Sequence, residues 1–304
     1  SMLGAISSMT QATSTNPFPV SESPVPARSV ASTPAWDRDR LRTVFGTLPL
    51  DLERLRANVA MVQGKIAEAE ARAGRPAGSA RLVAVTKYWP AEWLAPLAAL
   101  GADTFGENHP QAVWSKAPAL DSWRGPDGET LAIQWHLIGH LQSNKARRTL
   151  PMVEMIHGVD SLKLLQTLDQ LAANTNNEAA ATPAPHPTAR VCLQVNLSGE
   201  ASKHGWSAEG LMADAQAIAA LKAIRIAGLM TMAALGTDAR TARPTFEALR
   251  ELRDRFAQAT GLTLPELSMG MSNDYEAAVE AGSTLVRVGS ALIEGVARQE
   301  PPLV

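Results

Sequence analysis

Eight short apolar runs, nearly all separated by stretches with helical period, decide most of what this 304-residue chain can fold into. The runs cover 82–86, 103–106, 133–138, 155–159, 191–197, 226–230, 267–269 and 285–288. Between them come a helix opened by Pro90 and ended by Gly101, a helix around 111–117, and helical patterns at 142–153 and 161–173. Leu162, Leu165 and Leu168 recur at helical spacing in the last of these; a helix capped by Ser207 and another over 244–261 follow. Strands joined through helices must run parallel, because parallel pairing needs a long crossover. Eight such strands are better accommodated by a closed barrel than by an open doubly wound sheet, and no Gly-x-Gly-x-x-Gly follows any of them. The expected fold is therefore α/β, a single (β/α)8 TIM-type barrel within a domain spanning 43–298. A long helix over 43–74 precedes the first strand, with Leu52, Leu55, Val59, Val62 and Ile66 on one stripe and Gly74 as its stop.

Residues 1–36 are rich in Ser, Thr and Pro, and their apolar residues keep neither period. Such a segment cannot bury enough surface to offset ordering, so a disordered tail is expected there. A Pro/Ala/Asn-rich insertion is expected at 174–188. The formal charge is -2, from 28 Lys and Arg against 30 Asp and Glu, which offers no basic excess to track a nucleic-acid backbone. The most apolar stretch, 226–236, falls short of the roughly 18 residues of a membrane span, and no basic-then-apolar leader opens the chain. Cys192 is the only cysteine; inside an apolar run it reads as a buried, inert thiol. A soluble, cytoplasmic protein with a small anionic ligand is the expectation, with neither nucleic acid nor membrane as partner.

Barrels of this kind collect chemistry at the C-terminal ends of their strands, with phosphate commonly held by the loops after strands seven and eight. Lys87 closes the first run. The second ends in Glu107-Asn108, the fifth in Asn196 and Ser198, the seventh in Ser268-Met269-Gly270-Met271-Ser272 and the eighth in Arg287-Val288-Gly289-Ser290. A strand-end lysine is commonplace, but an amine facing a barrel mouth is the group that captures an aldehyde as an imine. The 268–272 turn, followed by Asn273-Asp274-Tyr275-Glu276, reads equally as a capped helix start and as an anion site. Gly289 offers a bare N–H and Ser290 a hydroxyl ahead of a short helix, a combination that can cradle a phosphate dianion. Arg287 shares a strand face with Gly289 and is read both as a partner for a ring nitrogen or oxyanion and as half of a structural salt bridge. One amine and two anion-ready turns together suggest a phosphorylated aldehyde held covalently. His136 and His140 lie four apart, but on strand and turn with no nearby Cys or carboxylate, which argues against zinc. No nucleophile elbow and no Walker loop is present.

Several motifs carry a family resemblance: Val83-Ala84-Val85-Thr86-Lys87, Phe105-Gly106-Glu107-Asn108, Trp135-His136-Leu137-Ile138-Gly139, Leu141-Gln142-Ser143-Asn144-Lys145, Gly228-Leu229-Met230, 267–274 and 281–290. In this order, over about 52–295, they resemble the pyridoxal phosphate homeostasis protein family. The resemblance implies the fold-type III barrel of the alanine racemase N-terminal domain, with pyridoxal 5'-phosphate as cofactor and Lys87 forming the Schiff base. It places Ser268, Gly270, Ser272, Gly289 and Ser290 around the phosphate, Arg287 and Asn108 near the ring, and Met230 among the cofactor-binding residues. Trp89 stands where family members often have a second lysine, His140 replaces a usual proline and His109 a usual tyrosine. Ile293-Glu294 stands where Phe-Gly is common. Lys203 matches a family lysine that could receive cofactor, and reads otherwise as a loop lysine.

The expected function is thus a carrier that binds pyridoxal phosphate at Lys87, keeps the free aldehyde low and releases it to apo-enzymes. The alternative is a pyridoxal phosphate-dependent amino-acid racemase or a related enzyme. A two-base racemase needs a tyrosine opposite the lysine, normally from a partner's added β-domain, and only Tyr88 and Tyr275 exist here. An aldolase using Lys87 on its substrate would need a base partner, and the sequence identifies none. With no β-domain expected to build the usual dimer, a monomer is expected.

Overall fold

Polar residues begin all four odd-numbered strands of the barrel, and apolar ones fill the helix-facing sides of all eight; that division shapes the interior. The structure, a computed structural model, describes residues 36–179, 189–198, 204–234 and 236–297. The strands are β1 Arg81–Val85, β2 Thr104–Glu107, β3 Gln134–His140, β4 Met155–Val159, β5 Arg190–Gln194, β6 Arg225–Met230, β7 Glu266–Ser268 and β8 Leu285–Val288. Each pairs parallel with the next, and β8 closes the barrel on β1 with Arg81 opposite Leu285 and Ala84 opposite Val288. The expected (β/α)8 barrel is therefore the observed fold.

Two helices, α1 Arg38–Phe45 and α2 Leu52–Arg72, precede β1. The others are α3 Leu94–Ala99, α4 Pro110–Asp121, α5 Ser143–Thr149, α6 Leu162–Ala179, α7 Ala208–Ala213, α8 Ala215–Ala219, α9 Ala239–Thr260, α10 Tyr275–Glu280 and α11 Ser290–Ile293. The single helix expected over 43–74 is instead two. Gly46 caps α1 by donating to the Arg42 carbonyl, Pro49 cannot continue a helix, and the Asp51 carboxylate starts α2 afresh by accepting from Arg54 N–H. Helix α9 begins at Ala239, five residues before Pro244, because Asp238 and Thr241 form a reciprocal capping box there. Pro151 shortens the expected 142–153 helix to α5 plus a 3-10 turn. Helix α6 runs into the expected insertion as far as Ala179. Most of the expected tail lies outside the described residues, but Trp36 at its end packs 5.7 Å from the Phe45 ring and 6.1 Å from Trp123. Lys203 also lies outside the described residues. No helix among the described residues is long and apolar enough to cross a membrane.

A continuous apolar layer between barrel and helices includes Phe105, Leu137, Ile156, Leu193, Leu229 and Val286, all fully buried. A second, smaller cluster of Val83, Met155, Cys192, Ala227, Met230 and Leu285 fills the lumen. Beneath it, Arg81, Gln134, Arg190 and Glu266 begin β1, β3, β5 and β7. Glu266 Oε1 accepts from Arg81 Nη2 at 2.6 Å and from Arg190 Nη1 at 3.1 Å. Each contact skips the intervening strand, so the floor is closed by charges meeting across the barrel. Layers contributed by alternate strands are the expected way to fill so narrow a barrel.

Candidate functional site at the barrel mouth

The strand period carries one face of each C-terminal strand end into the lumen. Lys87 follows β1 and is exposed, its Nζ 4.7 Å from the centre of the Tyr88 ring. Trp89 N–H donates to the Thr86 carbonyl at 2.9 Å, so Lys87 and Tyr88 are the two central residues of a tight turn. On the neighbouring strand, Arg287 is 4% exposed, Gly289 half-buried and Ser290 exposed at the first position of α11. Gly289 N–H donates to Ser272 Oγ at 3.3 Å, a long bond that joins the two turns after β7 and β8. Arg287 N–H also donates to the Gly270 carbonyl at 2.9 Å, tying them at a second point.

Gly270 is required by shape, and Gly289 is closely packed. Gly270 has φ +98, and a Cβ there would lie 2.5 Å from Ala278 Cβ; a Cβ on Gly289 would approach Val85 Cβ to 3.1 Å. The acidic residues after the turn do not cap α10 as a helix start would require. The Asp274 carboxylate instead accepts from Met271 N–H at 2.6 Å and closes the turn itself, while burial pushes its pKa upward.

Below the mouth runs a buried polar chain that crosses the lumen. Arg287 donates to the Thr231 carbonyl at 2.9 Å and to Ser268 Oγ. Ser268 Oγ lies 2.6 Å from His157 Nδ1, and His157 Nε2 lies 2.9 Å from His136 Nδ1. Burial holds both histidines well below their ordinary pKa, hence neutral. With Ser268 already accepting from Arg287, one proton arrangement satisfies all but one group: Ser268 donates to His157, and His157 donates to His136. His136 Nε2 is then the group without a partner among the described residues. Burial brings Arg287 down to about 10, so it is still charged at neutral pH.

The structure thus ties Gly270 and Ser272, which follow β7, to Arg287 and Gly289 at the end of β8, with Ser290 next in the chain, and places Lys87 after β1, the strand paired with β8. Asn108 follows β2 and is half-buried. Met230 lies in the apolar lumen, 1% exposed. Ser268 is fully buried with its hydroxyl engaged on both sides. His140 bonds Asp160 Oδ2 at 2.8 Å at the rim, remote in role from buried His136. Tyr275, one of the two tyrosines considered for proton transfer, is 4% exposed, its hydroxyl pushed up to about 12 by burial. His157 escaped the sequence reading, although a single imidazole inside the otherwise apolar run at 155–159 was a signal.

Fold and site together define a class, the alanine racemase-type barrel with a strand-end lysine beside two anion-ready turns. Residues 50–295 match the family described as alanine racemase, N-terminal domain. A protein of Pseudomonas aeruginosa named pyridoxal phosphate homeostasis protein is 39% identical over 235 residues, covering 77% of this chain and 93% of its own length. A protein of the same name from Escherichia coli K12 is 36% identical, covering 77% of this chain and 94% of its own. The solved structure of PipY from Synechococcus elongatus PCC7942 with PLP bound is 35% identical, with TM-score 0.62, and covers 75% of this chain and 99% of PipY. Alanine racemase from Corynebacterium glutamicum, at 21% identity and TM-score 0.58, shares the fold. The chain belongs to the pyridoxal phosphate homeostasis proteins within the alanine racemase N-terminal domain family.

Proposed function

We propose that this protein is a pyridoxal 5'-phosphate carrier that holds the cofactor on Lys87 and releases it to apo-enzymes. The observation that carries the reading is the placement of an exposed lysine amine on the strand adjacent to β8, whose following residues meet Ser272 in a cluster of N–H and hydroxyl groups. The donor set fits the group. Ser272 Oγ, Ser290 Oγ and Gly289 N–H suit a phosphate ester, and the Gly289 to Ser272 bond is long enough to be exchanged for one to a phosphate oxygen. Bound there, the cofactor would supply an aldehyde with which the Lys87 amine condenses, losing water.

The chain's own residues do the rest. Arg287, charged and fixed by Thr231 and Ser268, would meet the ring from below, and half-buried Asn108 would reach it from β2. Met230 and Val83 shut the lumen beneath against water. Ser268 enters this reading as the partner that aims Arg287, since both sides of its hydroxyl are occupied. Tyr88 neighbours Lys87 on the same turn and so cannot stand on the opposite face, which disfavours two-base racemisation. The carrier is taken to be cytoplasmic and monomeric; a stable dimer by light scattering at micromolar concentration would overturn the second point.

The test is the visible spectrum with and without added pyridoxal phosphate, followed by borohydride reduction and peptide mapping. A reducible band that maps to Lys87 and disappears in Lys87→Ala is expected. Absence of the band, or a band unchanged in the variant, sinks the reading. Turnover assays with amino acids then separate carrier from enzyme.

A further inference from the structure

Thr86, the residue before Lys87, has every polar group engaged. Its N–H donates to the Gly106 carbonyl at 3.1 Å, and its hydroxyl donates to Glu107 Oε1 at 2.7 Å. Its carbonyl accepts twice, from Trp89 N–H at 2.9 Å and from Lys116 Nζ at 2.8 Å. Lys116 comes from α4 and also donates to Glu107 Oε1 at 2.7 Å, and the pair is buried, with side chains 12% and 1% exposed. Trp89, 4% exposed and edge-on to Trp93 at 6.4 Å, pins the far end of the turn. Lys87 itself touches no such anchor; its one ring contact is with Tyr88, which is 81% exposed.

We infer that Glu107 and Lys116 are positioning residues for Lys87, locking Thr86 so that the turn presents the amine in one direction. A buried ion pair is weak evidence for stability, because desolvating two charges can outweigh their attraction. Here Glu107 Oε2 is left without a partner among the described residues, so the pair is not built for its own satisfaction. Three of its hydrogen bonds converge on Glu107 Oε1 and Thr86 instead. Lys116 ties the end of β1 to α4 while Glu107 ties it to β2, and Lys87 inherits the resulting direction. The role differs from contact with a ligand: neither Glu107 nor Lys116 needs to touch what Lys87 binds.

The inference rests on Lys87 being the imine-forming amine. The full chain is compared as wild type, Lys116→Met, Lys116→Arg and the double variant Lys116→Met with Glu107→Gln, which removes both charges and so avoids stranding one. Two readouts are taken: the rate of Schiff-base formation with pyridoxal phosphate, and the affinity for pyridoxine 5'-phosphate, which has the ester but no aldehyde. Misplacing a reacting group by about an ångström costs on the order of 10²-fold in rate, so a slowing of about tenfold or more is expected in Lys116→Met and the double variant. Pyridoxine phosphate affinity should stay within about twofold, and Lys116→Arg should recover most of the rate by restoring a donor to the Thr86 carbonyl. A double variant that reacts at the wild-type rate, or one that loses rate and pyridoxine phosphate affinity together, overturns the positioning role. A wild type that forms no reducible bond at Lys87 overturns the carrier reading itself, and the positioning role with it.

Discussion

The floor and the mouth of this barrel are built from similar residues and treat them in opposite ways. At the floor, buried Glu266 is met by buried Arg190, by part-buried Arg81 and by the Thr284 hydroxyl, the last at 2.6 Å. At the mouth, Ser272 receives one long bond from Gly289, Ser290 is exposed, and Lys87 has, among the described residues, only an exposed ring beside it. Charges at the floor spend their hydrogen bonds on one another and so contribute to holding the strands together. Donors at the mouth are held in place by backbone ties, Arg287 to Gly270 above all, while their own polar atoms are kept in reserve. The same barrel can then be stable at one end and receptive at the other.

The largest expected effect comes from breaking the floor. Glu266→Ala leaves buried Arg190 with only Glu154, 3.5 Å from its Nε, as an acceptor among the described residues, and takes the partner from Arg81, whose side chain is 34% exposed and can turn to water. Removing one partner of a buried pair costs about 3–5 kcal/mol, so urea unfolding should show a loss of that order, carried by Arg190. A loss below about 1 kcal/mol would mean that the floor is wet and the contrast with the mouth is false.

A second test sits between the two ends, in His157 and His136. Both are held neutral by burial, with folded pKa values well below the ordinary 6.5. Below that value the unfolded chain binds protons that the folded chain does not, so their contribution is complete above pH 6.5 and falls as the solution is acidified. The loss approaches about 1.4 kcal/mol per pH unit for each histidine. Unfolding free energies at pH 6, 5 and 4 should therefore fall less steeply in His157→Asn than in wild type, by about one proton's worth. Equal slopes would show that the imidazole titrates in the fold and that the lumen is open to water.

The barrel was legible because its evidence is local: apolar runs of strand length, each followed by a helix with its own cap or stop. The position of Lys87, Gly289 and Ser290 just past strand ends was legible for the same reason. What escaped depended on distant partners. Ser268 looks like part of an anion-binding turn until His157, 111 positions away, takes its hydroxyl. Lys116 is one lysine on an ordinary helix until the fold lays it on the Thr86 carbonyl, 30 positions away. The division of 43–74 into two helices was visible in Gly46 and Pro49, but the continuous apolar stripe outweighed them. Pro244 misled because proline usually marks a first turn, and the capping box upstream was the stronger signal.

The smallest effect on the fold should accompany a clear effect on the ligand, at Ser272. Ser272→Ala removes one acceptor for Gly289 N–H, at a half-buried site where water can replace it, so stability should move by no more than about 0.5 kcal/mol. The same hydroxyl is, on the carrier reading, one of a few groups facing the phosphate. A hydrogen bond to a charged group contributes about 1.5 kcal/mol or more, so pyridoxine 5'-phosphate should bind about tenfold more weakly. Unfolding and binding measured on one preparation decide the point. Weaker binding with unchanged stability is what a receptive mouth requires, whereas a loss of stability with binding intact would make the turns after β7 and β8 structural, like the floor.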